Sequence, residues 1–417
     1  MFYKETVFKE TPIGKIPKGW EIVKLGNVLT YIKGKKPEKM VEEYKENYLP
    51  YLSTEYLREN KATKFVKPSK DTILVNNGDL ILLWDGSNAG EFFSGKLGIL
   101  SSTMVKIELK KENYDKRFLF YLLKTKESFL KGQTRGTGIP HVDEAVLNSI
   151  IIPQPSIVEQ QKITEVLSTV DEAIRKTDEV IAKTERLKKG LMQELLTRRI
   201  GHKEFKDTEI GRIPKEWEVI SLENGSLRIR TGPFGSQLKK SELSESGVKV
   251  YTQENILKND FSLGNLYVSY DKFKKLKTME VELGDVLLTI RGSTGYSAVF
   301  PEGAERGIIH TNLAYIRVKR SLLLPEYLSL LINDYPLVKS QIITLSSATT
   351  LGALYAKHIK KIKIPLPPLQ EQQKIVNILS NTNKKLEIER NEKAKLERIK
   401  QGLMDLLLTG KIRIKVI

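Results

Sequence analysis

The chain has 417 residues, 40% of them apolar and 29% charged, which suits two or three globular domains and argues against disorder. It has no cysteine, and its four histidines (His141, His202, His310, His358) are all more than ten residues apart, so disulfide frameworks, Cys-ligated zinc, iron–sulfur clusters, thiol nucleophiles and local histidine metal motifs are excluded. The net charge is +18, with 34 basic against 27 acidic residues up to position 200 and 35 against 24 after it, a balance that suits a polyanionic partner, nucleic acid first, as well as a merely soluble basic protein.

The first residues, MFYKETVFKETP, lack the apolar core of a signal peptide. No apolar run anywhere approaches the roughly 18–20 residues of a membrane span. The expected location is cytoplasmic. Phe8–Leu25 (FKETPIGKIPKGWEIVKL) then introduces the main feature of the chain, because it returns as FKDTEIGRIPKEWEVISL at Phe205–Leu222 with 11 of 18 positions identical. Gly78–Gly90 returns at Gly284–Tyr296, Ile151–Ser168 at Lys363–Ser380, and Lys188–Ile200 at Lys400–Ile412. The offsets are 197, 206, 212 and 212, so two copies of one unit fill the chain and the insertions lie between the first and third blocks. Solenoids need three or more short repeats. This is a tandem duplication with pseudo-two-fold symmetry.

Residues 18–150 and 215–362 carry short β-like runs (TILVNNGDLILLW, STMVKIEL, DVLLTIRG, NLAYIRVK) broken by Gly, Asn and Pro, with short helical stretches at Lys116–Lys126 and Pro325–Asp334. Each reads as a mixed α/β (α+β) globule. The turn aspartates Asp79 and Asp285 take a hairpin or capping role.

After Pro153-Gln154-Pro155 the texture becomes long and helical. Apolar or small residues fall at Ile163, Leu167, Val170, Ile174, Thr177, Ile181, Thr184, Leu187, Leu191 and Leu195, a 3/4 spacing over some four heptads. Ser156 is the expected cap and Glu159 completes a capping box. Ile157–Thr197 is a predicted helix of 41 residues, roughly 60 Å long. The second copy, after Pro365–Pro368, shows Ile375, Leu379, Thr382 and Leu386, a polar middle (Glu389, Lys393), then Leu396, Ile399, Leu403 and Leu406. Paired antiparallel, the two helices make a coiled-coil spacer between the globules. The predicted segments are 1–152 and 201–364 for the globules, 153–200 for the first spacer helix and 365–417 for the second helix and tail.

The frame repeats closely while the interiors (28–77 against 225–283, 92–145 against 298–355) align poorly. Two sites with one mechanical role and different ligands follow. The EQQK segments, Glu159, Gln160, Gln161 and Lys162 with Glu371, Gln372, Gln373 and Lys374, are either solvated helix faces or a docking surface used twice; their near-identity favours docking. Gly190 and Gly402, inside the repeated GLM, each cost about 1 kcal/mol against Ala, which close approach of the paired helices would explain.

Basic glycine-bearing loops are the candidate readers of a polyanion, each being otherwise an ordinary solvent-facing loop. They offer Lys131, Gln133, Thr134 and Arg135; Arg230, Gln237, Lys239 and Lys240; Arg291, Ser293 and Thr294; and Ser346, Ser347, Thr349 and Thr350. Arg forks suit guanine, Gln suits adenine, and Ser, Thr and Lys suit phosphates. Trp84 and Tyr296 have apolar neighbours that favour the core. GxxxxGK[ST], HExxH and GxSxG motifs are absent, and so is an Asn-Pro-Pro-aromatic run. No catalytic or metal residues are assigned.

IGKIPKGWE and IGRIPKEWE, TGPFGSQL, GDVLLTIRGSTG, IPQPSIVEQQKI and IPLPPLQEQQKI, and the GLM…LLTG ends occur in order over nearly the whole chain. In combination they resemble the specificity subunit of a type I restriction–modification system. The resemblance implies two target-recognition domains, Lys18–Ile150 and Lys215–Ile362, each reading one half of an asymmetric bipartite sequence in double-stranded DNA. It implies helices at 156–199 and 366–410 that set the spacer and dock two modification (methyltransferase) subunits, with no catalysis and no cofactor of the chain's own. S-adenosylmethionine, ATP and Mg would sit on the modification and restriction subunits. A coiled-coil protein scaffold with a non-specific basic surface is the alternative; it explains the rods but not the divergent basic loops.

Overall fold

The computed structural model describes residues 2–111, 113–135, 138–197, 202–348 and 352–415. It divides into two compact units. Unit 1 is 1–178 with 391–417, and unit 2 is 179–390. The division cuts through both long helices, Ile157–Thr197 and Leu369–Leu407, so each unit owns a half of each.

In unit 1 a four-stranded antiparallel sheet runs in the order Phe92–Ser94, Leu80–Leu83, Met104–Leu109, Leu29–Lys33. A second sheet runs Phe65–Val66, Leu49–Leu52, Gly98–Leu100, Leu74–Val75, with its central pair parallel. Unit 2 repeats the first order and three neighbouring strands of the second, with its fourth strand on the opposite edge. Its sheets run Ser297–Val299, Val286–Thr289, Leu313–Val318, Ser226–Thr231, and Leu243–Ser244, Tyr267–Val268, Val248–Tyr251, Gly307–Ile309, again with one parallel pair. The interiors that align poorly in sequence therefore share the whole first sheet and the three-strand part of the second. Both first sheets leave room for a close backbone crossing: a Cβ on Gly34 would stand 2.0 Å from the Ser101 carbonyl oxygen, and one on Gly232 2.1 Å from that of His310.

Each core draws on both long helices. In unit 1, Trp20, Phe118, Leu122, Ile163 and Leu167 pack with Met404, Leu407 and Ile414. In unit 2, Trp217, Leu328, Leu331, Ile375 and Leu379 pack with Met192 and Leu195. Within unit 1 Lys393 pairs with Asp178 (2.7 Å) and Lys400 with Asp171 (2.6 Å). Seven residues forward on one helix meet seven back on the other, which is antiparallel pairing. Within unit 2 Arg390 reaches Glu185 (2.6 Å). Ion pairs between the helices thus replace apolar contacts in the polar middle. Leu187 and Ile399, expected in the seam, are 57% and 52% exposed.

The start of each long helix is fixed by a repeated buried cluster. Trp20 Nε1 donates to Glu159 (3.0 Å), and the Arg413 guanidinium forks onto the same carboxylate at 2.8 Å through two nitrogens. Trp217 Nε1 donates to Glu371 (3.0 Å), with His202 Nε2 at 2.8 Å from its other oxygen. Ser156 Oγ accepts from Glu159 N (3.3 Å), but the Glu159 side chain turns to Trp20 and Arg413, so the capping box is half formed. The next residue is a glutamine with no exposed surface. Gln160 accepts from Asp115 N (2.9 Å) and donates to the carbonyls of Asn113 (3.1 Å) and Pro155 (2.9 Å). Gln372 accepts from Leu324 N (2.9 Å) and donates to Leu322 (2.9 Å) and Pro367 (2.8 Å) carbonyls. Unit 1 is finished by the strand Phe2–Lys4 pairing antiparallel with Ile412–Ile414.

Truncating Gln372 to Ala strands three buried backbone groups, each costing about 1 kcal/mol or more. The expected loss is about 3 kcal/mol of stability in chemical denaturation, against about zero for its exposed neighbour Gln373→Ala. A second expectation concerns His202. Burial opposes its charge, but the carboxylates of Glu371 and Glu216 outweigh this and raise its pKa. A group with a raised folded pKa contributes stability below its unfolded value and loses it as pH climbs through the folded one. The melting temperature should therefore fall above about pH 6.5 with a component that His202→Gln removes. A pH series that superimposes for both proteins would refute this.

Candidate nucleic-acid interface

In unit 2 three loops converge. Pro233 to Leu238 carries Phe234; the turn after Val286–Thr289 carries Arg291; and Tyr355 precedes the short helix Ala356–Ile359. The Arg291 guanidinium lies over the Phe234 ring at 5.4 Å, and Phe234 stacks on Tyr355 at 6.0 Å and 20°. The turn is shaped by Gly292 and Gly295, at φ +69° and +91°, conformations that side-chain-bearing residues rarely adopt. It is held by Gln253 Nε2, which donates to the Arg291 carbonyl, and by Thr289 Oγ1, which donates to the Ser293 carbonyl (2.5 Å). Arg291 Nε and Thr294 Oγ1 are buried with no hydrogen-bond partner. Phe234 is exposed while Arg291 and Tyr355 are half-buried, so polar donors and an aromatic face lie together at the surface.

The same turn in unit 1 carries the opposite charge. Aligned on the GD turns, Asp85 stands where unit 2 has Arg291. Lys33 pairs with it at 2.5 Å and sits 5.6 Å from the centre of the Trp84 ring, which is 5.9 Å from Tyr31. Trp84 is partly buried against the core, as expected. Arg135 is exposed, but its guanidinium pairs with the buried Asp143, and its backbone exchanges hydrogen bonds with His141 (3.0 and 2.8 Å). Asp143 in turn caps the helix Glu144–Ser149. Lys131 lies 4.0 Å from Glu91, Thr134 Oγ1 donates to the Lys131 carbonyl (3.2 Å), and Gln133 is exposed. Equivalent turns thus offer an acceptor with a cation in one unit and a donor fork in the other. Chemically these suit different bases: a carboxylate accepts from cytosine, an Arg fork donates to guanine.

Several expected readers have other work. Gln237 Oε1 accepts from Phe234 N (2.9 Å), tying up its own loop. Ser346 and Ser347 form no loop: they end the helix Pro336–Ser347, and their hydroxyls donate to the Ile343 carbonyl at 2.9 and 2.8 Å. Thr349 and Thr350 lie outside the described residues. Arg230, Lys239, Lys240 and Ser293 are exposed. Tyr296 is half exposed rather than in the core. Phe234 and Tyr355 were not among the expected readers; Phe234 could have been found as an aromatic between Pro233 and Gly235, whereas Tyr355 follows the buried Leu354 and carries no such signal.

The expected docking face is halved. Glu159, Gln160 and Gln372 are buried and Glu371 is engaged by Trp217 and His202, because a polar residue on a helix's inner face keeps its place by satisfying buried backbone. Gln161, Lys162, Gln373 and Lys374 are exposed. The helical glycines are corrected as well. Nothing lies within 4 Å of where a Cβ on Gly190 or Gly402 would stand, so close helix packing does not explain them. Each instead sits one turn after an exposed apolar residue, Leu187 or Ile399. Asp79 and Asp285 hold the expected turns, accepting from Asn76 N (2.9 Å) and Glu282 N (2.8 Å). Among the described residues no group of three or more His, Cys, Asp or Glu is placed to hold a metal, and no helix is long and apolar enough to cross a membrane.

A family profile described as "Type I restriction modification DNA specificity domain" matches residues 17–186 and again 214–398. A protein of Methanocaldococcus jannaschii named "Type I restriction enzyme MjaVIII specificity subunit" is 42% identical over 99% of this chain and 98% of its own length. The "Type I restriction enzyme EcoBI specificity subunit" of Escherichia coli is 23% identical over 77% of this chain and 70% of that protein. The crystal structure of a type I restriction–modification S subunit from M. genitalium superposes with a TM-score of 0.62 at 15% identity, covering 95% of this chain and 97% of that one.

Proposed function

The chain belongs to the type I restriction–modification specificity family, and from that premise we propose that its two units read the two different halves of an asymmetric, bipartite site in double-stranded DNA. The observation that carries this reading is the pair of equivalent turns bearing Asp85 with Lys33 in one unit and Arg291 with Phe234 in the other. A shared frame with opposite chemistry at its tip is what a non-palindromic target requires. The net charge of +18 supplies the sequence-independent attraction to phosphate. The long helices set the number of base pairs between the half-sites.

The chain supplies recognition and no chemistry of its own. S-adenosylmethionine, ATP and Mg belong to the modification and restriction subunits it joins. Two copies of the modification subunit dock on the repeated helix surface, at Gln161 and Lys162 with Gln373 and Lys374, and at Leu187–Gly190 with Ile399–Gly402. A glycine beside an exposed apolar side chain lets a partner's backbone come close while its side chains cover the apolar neighbour, which also accounts for two glycines that stabilise nothing within their own units.

Selection from a randomised duplex pool, with and without the modification subunit and at two salt concentrations, is the direct test. A split asymmetric motif is the expected result; salt-sensitive but sequence-blind binding would leave a basic scaffold as the better account. For docking, Leu187→Asp should cost one of two modification subunits and Leu187→Asp with Ile399→Asp both, read as mass by light scattering. Unchanged 1:2 assembly in the double variant would exclude this surface.

A further inference from the structure

The two units share one frame, so a built feature that only one of them has belongs to that unit's own ligand. Unit 2 has such a feature on the edge strand of its first sheet. In unit 1 the strand Leu29–Lys33 pairs without interruption against Met104–Leu109, and Leu29 is buried at its start. In unit 2 the register slips between Ser226 and Arg228, leaving Leu227 as an extra residue that is 68% exposed. Such a bulge re-aims the side chains that follow it. Ser226 stands where unit 1 has Leu29, and the smaller side chain leaves space.

The result is a cleft of about 660 Å³ lined by Glu223, Ser226, Arg228, Arg230, Lys357 and Lys360. Lys360 pairs with Glu223 at 2.9 Å. Arg228, Arg230 and Lys357 have no carboxylate partner among the described residues, which leaves three uncompensated cations around one opening. Ser226 is 92% buried at the lining, and its hydroxyl has no hydrogen-bond partner. The matching positions of unit 1, taken from the strand register with Leu227 as the bulged residue and counted back from Ile150 and Ile362, are Thr30, Ile32, Ala145 and Asn148. None is charged, and Asn148 is engaged there by accepting from the Tyr31 hydroxyl at 2.8 Å.

Two Arg forks, a Lys and a buried hydroxyl are the donor set for a tetrahedral oxyanion. The cleft also continues into the reading surface: Arg230 leads through Thr231, Gly232 and Pro233 to Phe234, and Lys357 follows two residues after Tyr355. We propose that this cleft is a phosphate cradle, present in unit 2 alone, that grips one backbone phosphodiester of the DNA flanking the bases read by that unit. The inference rests on the DNA-reading function proposed above. It adds that the two half-sites are held unequally, with unit 2 gripping the backbone at a point where unit 1 has only apolar and neutral groups.

The test uses the full chain and a duplex bearing the motif selected from the pool, titrated against salt. Arg228→Ala with Lys357→Ala should weaken binding about tenfold and make the slope of log K against log salt shallower by about one, with the selected bases unchanged. Arg228→Lys should keep the slope, which separates lost charge from lost folding. A control pair on the same unit, Lys258→Ala with Lys274→Ala, should leave it unaltered. A slope equal to wild type in the cleft variant, or an equal fall in the control pair, would overturn the cradle. The DNA-free chain is also warmed with inorganic phosphate at constant ionic strength. A rise in melting temperature that the cleft variant loses, alongside an unchanged DNA slope, would assign the cleft to free phosphate and overturn the backbone grip. If wild type selects no split motif, the specificity reading itself fails, and the salt slopes still report whether the cleft meets DNA.

Discussion

Gln160 and Gln372 have no route to water, so each amide must satisfy all its hydrogen bonds within the protein or destabilise it. Each does so by joining three segments: the first turn of a long helix, the prolines before it, and the backbone just before a globule's first substantial helix, at Asn113–Asp115 or Leu322–Leu324. The neighbouring glutamate adds a fourth, the tryptophan of the repeated IPxxW segment. Without these joints a globule could swivel on its helix. With them, the direction of each helix half is set by the globule it starts from. Duplication preserved this joint and left the loops free to diverge.

The comparison of sequence with structure divides along a physical line. Periodicity and self-similarity were sufficient for what depends on chain geometry: the duplication, the helix Ile157–Thr197, the antiparallel pairing and the mixed α/β globules. They were insufficient where polarity and burial part company. EQQK looks like a surface because charged and amide side chains usually are, and only the positions of Asn113, Asp115 and Trp20 in space reveal it as an anchor. The helical glycines mislead in the opposite sense, since a missing side chain suggests a close neighbour and the structure places open space there. Ser346 and Ser347 read as a loop from composition alone, yet serine hydroxyls bonding back to the preceding turn let the helix run on to Ser347.

At the candidate interface, residue type was legible and arrangement was not. Arg291 could be singled out by its loop, while its stack with Phe234 and Tyr355 depends on three loops meeting that are separated by more than fifty residues each. Arg135, an equally plausible fork by composition, is spent on Asp143 and closes its own loop. Opposite charges at Asp85 and Arg291 emerge only when the two turns are compared as equivalent places in one topology. The copies differ most in chemistry at such places, so the comparison of a chain with itself is more informative than either half alone.

The strand Phe2–Lys4 lies against Ile412–Ile414, and the carboxylate of Glu159 is held by Arg413. Unit 1 is therefore assembled from two stretches that flank unit 2 in sequence, whereas unit 2 is one continuous stretch. On the ribosome this inverts the usual order in which the amino-terminal domain matures first. Unit 2 has all its residues once position 390 has emerged, while Trp20 and its neighbours wait with an incomplete core until Met404, Leu407 and Ile414 arrive. A prematurely terminated product would then have an intact second unit beside an unfinished first one, exposing apolar surface that chaperones and proteases recognise. The core of the first unit therefore closes only after every residue of the second has been made, which couples the folding of one reader to the synthesis of the other.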